Sequence, residues 1–167
     1  RVYHGSPADT IAEFFTEQSS LGGNTGARSA RLGAFFSENE AIASTAAFGF
    51  SPIGAFSGKP MTLYTIRLNL RHPLNLDALR PTELSKLEAM FPGFRKAWES
   101  DVDKFSAVNF LARVRGEKNF VQQQLKAEGY DGIIVKTMAS SGELLGPRKE
   151  YIVFNSQNIH IERKIPI

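Results

Sequence analysis

Residues Met61 to Leu70 alternate. Tyr64, Ile66, Leu68 and Leu70 fall on one side of an extended chain, and Thr65, Arg67 and Asn69 on the other. A period of two held over this length is a strand pattern. It requires one face on a core and one facing polar surroundings, as in an antiparallel sheet. Partner strands are legible elsewhere: Arg1 to His4, Ala34 to Phe36, Ile133-Ile134-Val135, Tyr151 to Phe154, and Ile159 to Arg163. The last two are joined by Asn155-Ser156-Gln157-Asn158, which predicts that they pair. His72-Pro73-Leu74-Asn75-Leu76 reads as the end of the long strand. Thr82 to about Trp98 and Val102 to about Glu128 read as helices, broken near Pro92-Gly93, Asp101 and Gly116. Phe105, Val108, Leu111 and Ala112 share a helical face, and Gly129 suits a helix C-terminus. Two further helices are expected early. One starts at Ser6-Pro7-Ala8-Asp9, and the other at the capping box Ser37-Glu38-Asn39-Glu40, running to Phe48. Strands, then helices, then strands predict one α+β domain over residues 1–167, with a helical insertion at about 82–128.

Composition narrows the function. The chain has 167 residues, enough for one compact domain, and a 42% apolar fraction with 13 Phe supplies an aromatic core. No run of about 18 apolar residues occurs, so no membrane span is expected. The absence of Cys excludes disulfides, thiol nucleophiles and thiolate metal sites. No His-x-x-x-His or similar spacing points to a metal, and His4, His72 and His160 are far apart in sequence. The start at Arg1, with neither Met nor a signal-like segment, suggests a piece of a longer protein. A formal charge of +3 is compatible with an anionic ligand or a nucleic acid and selects neither.

Three stretches carry candidate chemistry. Glu150 stands at the mouth of the strand Tyr151 to Phe154, after a Ser-, Gly- and Pro-rich loop from Thr137 to Pro147; a carboxylate beside such a loop is a common place for a working residue. Val2-Tyr3-His4-Gly5-Ser6 and Gly33-Ala34-Phe35-Phe36-Ser37 are the others. The Gly-rich stretch Ser19 to Leu32 holds Arg28 and Arg31; it is either a solvated connection or a lid bringing positive charge over a phosphate-bearing ligand. No Gly-Lys-Ser/Thr follows it, so it is not a P-loop.

Taken together, these segments resemble an ADP-ribosyltransferase of the His-Tyr-Glu, diphtheria-toxin-like class. The chain is similar to the domains of phage and bacterial polyvalent proteins and, more distantly, to poly(ADP-ribose) polymerases. Tyr3-His4-Gly5-Ser6, Gly33 to Ser37, Leu63 to Leu74, Gly129 to Val135 and Glu150-Tyr151-Ile152-Val153-Phe154 carry the likeness. The resemblance implies two packed, mainly antiparallel sheets around an NAD cleft with flanking helices. It implies NAD as co-substrate without a metal, and an acceptor that is a protein or a nucleic acid. His4 would hydrogen-bond the adenosine ribose, Gly5 would hold the nicotinamide amide through its backbone, and Ser6 would complete that motif. Glu150 would be the catalytic glutamate. Ser19 to Leu32, with Arg31, would cover NAD, and Thr137 to Lys149 would recognise the acceptor. The family's second signature residue is an aromatic, usually Tyr, on the helix after the second motif; Thr45, Ala46 or Ala47 stands there in this chain. Phe48 is the nearest aromatic and is expected to stack on nicotinamide, with Ser44 one turn before it and Phe35 as the opposite wall; a core role for Phe48 is the alternative. Arginine-modifying relatives carry Glu or Gln two positions before the catalytic glutamate. Arg148 stands there, which argues against arginine as acceptor.

The implied reaction needs positioning and negative charge more than a nucleophile. A pyridinium already leaves readily, and the oxocarbenium-like centre left behind is stabilised by a carboxylate. A glycohydrolase, with water as acceptor, would use the same residues. Leu144-Leu145, if exposed, favours a macromolecular acceptor; if buried, they belong to the core. A non-catalytic binding module on the same fold is the remaining reading. A bacterial or phage effector acting in a host cytoplasm is the expected setting.

Overall fold

The computed structural model of the chain describes residues 1–6, 32–41, 43, 62–117, 119–137 and 147–166, the side chain of Ser6 excepted. The strands are β1 (Val2–Ser6), β2 (Ala34–Ser37), β3 (Thr62–Leu68), β4 (Pro73–Asn75), β5 (Gly132–Thr137), β6 (Arg148–Val153) and β7 (Ile159–Pro166). They form one seven-stranded sheet in the order β4-β5-β6-β2-β1-β3-β7. Among the described strands only β4 and β5 pair in parallel. The helices α1 (Pro81–Met90), α2 (Phe94–Glu99), α3 (Phe105–Arg113) and α4 (Phe120–Ala127) lie in the crossover between those two strands, because a parallel pair cannot be joined by a tight turn.

Local chemistry sets the helix ends. Pro81 occupies the first position of α1, and the Arg80 N–H donates to Glu83 Oε2 at 2.9 Å. The breaks expected near Pro92-Gly93, Asp101 and Gly116 are all present, and they turn two long helical segments into four short helices. At the end of α4, Gly129 adopts φ +91°, the Tyr130 N–H bonds Leu125 O, and the Gly129 N–H bonds Lys126 O. This Schellman closure turns the chain into β5. Pro73 opens β4, an edge strand, where a missing N–H is tolerated. The sequence hid this three-residue strand, which the alternation rule reads as the tail of β3.

Two cores flank the sheet. The larger joins Leu84, Leu87, Phe91, Phe94, Val108, Leu111 and Leu125 of the helical layer to Ile133, Val135 and Ile152 of the sheet, with Phe35 packed against it. Gln122 of α4 donates from Nε2 to Leu32 O at 3.2 Å, tying that layer to the entry of β2. The smaller core is made by strands: Val2, Ala34, Phe36, Tyr64, Ile66 and Val153, with Leu68, Leu70, Tyr151, Ile159 and Ile161 against it. The expected apolar face of β3 is therefore present, but its other face is not left to polar surroundings: Leu63 and Thr65 are buried as well, and only the end of the strand from Arg67 is open.

The expected pairing of the last two strands is corrected. Both edges of β6 are occupied, by β5 and β2, so β7 continues to the open edge of β3. In a flat sheet these two strands would stand about 19 Å apart at ~4.8 Å per strand. The connection spends Ser156–Asn158 in a 3₁₀ turn, which advances only about 2 Å per residue. The short connection therefore requires the sheet to curl. Two separate packed sheets were expected; the strands instead form one hydrogen-bonded sheet with a thin seam. Between β1 and β2 the register holds a single pair, Tyr3 with Ser37, against five pairs between β1 and β3.

Candidate active site

The seam lies between the two motifs that the sequence singles out. On β6, Glu150 faces Ser37 of β2 on one side and Val135 of β5 on the other. Strand alternation puts Glu150 on the helix-covered face, with Phe35 diagonally across on β2. Its side chain is 13% exposed, and the equally covered Arg148, two residues earlier on the same face, donates from Nε to Glu150 Oε1 at 2.8 Å. Burial pushes the Glu150 carboxyl above the ordinary glutamate value. The Arg148 hydrogen bond and charge pull it back, and the Glu38 charge adds to the rise.

From the sequence, Glu38 is placed only within the capping box Ser37-Glu38-Asn39-Glu40, with no part in the site. It follows β2 directly and clamps the strand beside Glu150: its N–H donates to Lys149 O at 3.2 Å, and its Oε1 accepts from the Lys149 N–H at 2.8 Å. An acid just past a strand end, opposite the candidate glutamate, was the available signal. Next to it, the buried Ser37 accepts from the Asn39 N–H through Oγ at 3.2 Å. Asn39 O then takes the Ala43 N–H at 3.1 Å. The helix expected from Ser37 thus begins with Asn39 as cap, two residues later than the capping box suggests.

His4 sits on the other side of the seam. Its ring is half-buried and lies 5.7 Å from Phe36 and 6.5 Å from Tyr64, centroid to centroid, so alternation gives it the strand-built face. Its Nδ1 stands 2.9 Å from Phe35 O. A carbonyl only accepts, so Nδ1 carries the proton, and Nε2 is the acceptor of the neutral ring. Burial lowers the pKa of this imidazole, against a smaller rise from the Phe35 hydrogen bond. The His4–Phe35 bond bridges β1 and β2 where the register pairing has stopped. Gly5 and Ser6 continue in register with Leu63 and Thr62 of β3, with no register partner on β2 among the described residues.

The structure thus brings Glu150, Arg148 and Phe35 to one face, and puts His4 one strand beyond β2 on the opposite face, with its ring turned to the seam. Arg148, expected in the acceptor loop, belongs to β6 and is turned onto Glu150 instead. At the other end of that loop, Thr137 closes β5 and donates from Oγ1 to Asp103 Oδ2 at 3.0 Å, fixing the loop's start to the helical layer. Arg31, Ser44, Phe48, Leu144 and Leu145 lie outside the described residues, as do most of the two expected covering loops. Among the described residues no three His, Asp or Glu are grouped to hold a metal ion, and no helix is long and apolar enough to cross a membrane.

A largely covered carboxylate held by a guanidinium, one strand from a seam that carries a neutral imidazole, can accept a hydrogen bond from a hydroxyl and offer negative charge to a developing cation. A comparison with known families matches residues 1–161 to the family described as ADP-ribosyltransferase in polyvalent proteins. No curated protein and no solved structure matches the chain. The match spans nearly the whole chain, which belongs to that family.

Proposed function

We propose that this member of the ADP-ribosyltransferases of polyvalent proteins cleaves the nicotinamide–ribose bond of NAD and passes ADP-ribose to a macromolecular acceptor, protein or nucleic acid. The observation that carries the reading is Glu150: a covered carboxylate, fixed by Arg148 at 2.8 Å, one strand away from the seam that His4 bridges. We read residues 1–167 as one catalytic domain, and the two halves of the curled sheet, β4-β5-β6-β2 and β1-β3-β7, as the walls between which NAD lies along the seam. An effector working in a host cytoplasm is the setting this reading assumes.

In this reading the C1′–N bond breaks with its electron pair going to nicotinamide, which leaves neutral. Glu150 accepts a hydrogen bond from the adjoining ribose hydroxyl and opposes the positive charge growing at C1′. The acceptor's oxygen or nitrogen then bonds to C1′ and gives up its proton. His4, kept neutral by burial, orients the adenosine ribose, and Gly5 offers backbone to the nicotinamide amide where a side chain would intrude. Phe35 lies on the Glu150 face, where it can line the departing ring; we assign Phe48 and Ser44 to the other side of that ring and Arg31 to the phosphates. An arginine acceptor is disfavoured, because its guanidinium would meet Arg148 beside the reacting carbon. Leu144 and Leu145 are the contacts we assign to the acceptor.

The test is transfer of label from adenylate-labelled NAD to a cell lysate by the purified chain, followed by separate protease and nuclease digestion. Label lost to one digestion names the acceptor class. Nicotinamide release that is the same with and without lysate, with no bound label, would replace the transferase by a glycohydrolase.

A further inference from the structure

The two oxygens of Glu150 are not equivalent. Oε1 takes the Arg148 Nε–H, while Oε2 has no hydrogen-bond partner among the described residues. Arg148 and Glu150 are two apart on β6, so the pair lies along one strand and one face, and both side chains are nearly covered. Lysine cannot reproduce this contact. The guanidinium is planar, and its Nε–H points sideways from a stem fixed by the strand, whereas an ammonium is a point charge on a flexible stem. Each neighbouring element contributes differently to the charge at this site. β2 brings Glu38 at its end. β5 presents uncharged Val135 opposite Glu150, with Lys136 paired to Lys149 on the other face. The helical layer reaches Thr137, the register partner of Arg148, through Asp103. Among the described residues Arg148 is thus the cation in direct contact with the carboxylate, set against the Glu38 charge.

We propose that Arg148 is a positioning residue that divides the work of Glu150: it anchors Oε1 in the sheet and leaves Oε2 aimed at the ribose hydroxyl of the bound donor. The inference rests on the reading that Glu150 acts on NAD. It reassigns Arg148 from acceptor recognition to the cleavage step. A carboxylate pinned by one oxygen meets the substrate in one orientation, and the guanidinium favours its ionised form, so less reorganisation is needed as charge develops.

Two readouts test this on the purified chain. The first is the titration of the Glu150 carboxyl by NMR on protein labelled at the glutamate carboxyl carbon, with Glu150→Gln assigning the signal. The second is nicotinamide release against pH at saturating NAD. Arg148→Met is expected to move the Glu150 midpoint and the acid limb of the rate upward together. It should lower kcat roughly 10- to 100-fold, with the KM for NAD changed less than a few-fold. Arg148→Lys should fall between Met and wild type on both readouts, and it remains decisive if the Met variant does not fold. The double variant Arg148→Met/Glu150→Gln, neutral at both positions, checks that the sheet persists. A Glu150 midpoint unchanged in folded Arg148→Met or Arg148→Lys overturns the proposal. Glu150→Gln releasing nicotinamide at the wild-type rate overturns the functional reading instead, and the NMR titration still reports on Arg148.

Discussion

Gly33→Ala tests the register on which the site is built. Gly33 enters β2 at φ +154°, and a Cβ placed on it would stand 2.5 Å from Val153 O and 3.1 Å from Ile152 Cγ2. The first contact is with backbone, so no side chain can turn away to relieve it. Either β2 lifts off β6 or the dihedral changes, and both disturb the pairs Ala34 with Val153 and Ser37 with Glu150. Two other glycines separate the contributions. Gly129 has φ +91° and meets nothing closer than 3.9 Å, so Gly129→Ala carries only the dihedral penalty, about 1 kcal/mol. Gly132 borders β6 from the β5 side, and its added Cβ would stand 2.6 Å from Ile152 O with no unusual φ, so Gly132→Ala carries overpacking alone, about 1–3 kcal/mol. Gly33→Ala carries both, roughly 3–4 kcal/mol, a large share of an ordinary domain's stability. Urea unfolding of the three variants, followed by far-UV circular dichroism, should rank them Gly129 below Gly132 below Gly33. A Gly33→Ala cost no larger than that of Gly129→Ala would refute the close approach of β2 to β6.

Three further outcomes follow from the same geometry. Glu38→Gln keeps an oxygen for the Lys149 N–H but removes a like charge near Glu150, so the acid limb of nicotinamide release, expected above the ordinary glutamate value of 4.5, should move down; an upward move would contradict the assigned sign. Because His4 has a lowered pKa in the folded chain, the unfolded state takes up its proton first as pH falls from 6.5, and stability should decline through that window. His4→Asn should lack that part of the slope when stability is measured by denaturation at each pH. Asp131 accepts the Arg71 N–H at 2.6 Å and the His72 N–H at 3.1 Å, closing the turn between β3 and β4 onto β5. Asp131→Ala should cost about 1–3 kcal/mol in the same denaturation experiment, and a neutral result would contradict that role.

What the sequence conveyed depended on the range of the interaction behind it. β3 was legible because Tyr64, Ile66, Leu68 and Leu70 alternate with polar residues, although the burial of Thr62 to Ile66 on both faces was not, and Gly129 because the Schellman closure is local. The breaks that split the helical region were readable from Pro92-Gly93 and Gly116, although the resulting count of helices was not. β4 was missed since three residues beginning with Pro carry no period; its existence depends on the parallel partner β5, far along the chain. The false hairpin of β6 and β7 came from a short connection, which says that two strands are near in sequence and nothing about whose edges are open. At the site, Glu150, His4 and Phe35 were marked by motif. The Arg148–Glu150 pair was implicit in a spacing of two on a strand, yet Arg148 was read as a loop residue because the strand's start was placed too late. The Glu38 clamp is a contact between residues 111 apart, which only the β2–β6 register creates.

The central claim is that the Glu150 carboxylate drives cleavage of NAD, and the most direct measurement is nicotinamide release by the purified chain beside Glu150→Gln, with and without lysate. The account predicts release by the wild type that increases with lysate, and a loss of about 10²-fold or more in the variant with NAD binding retained. Wild-type-like release by Glu150→Gln, or a wild-type chain that neither binds NAD nor releases nicotinamide, would contradict it.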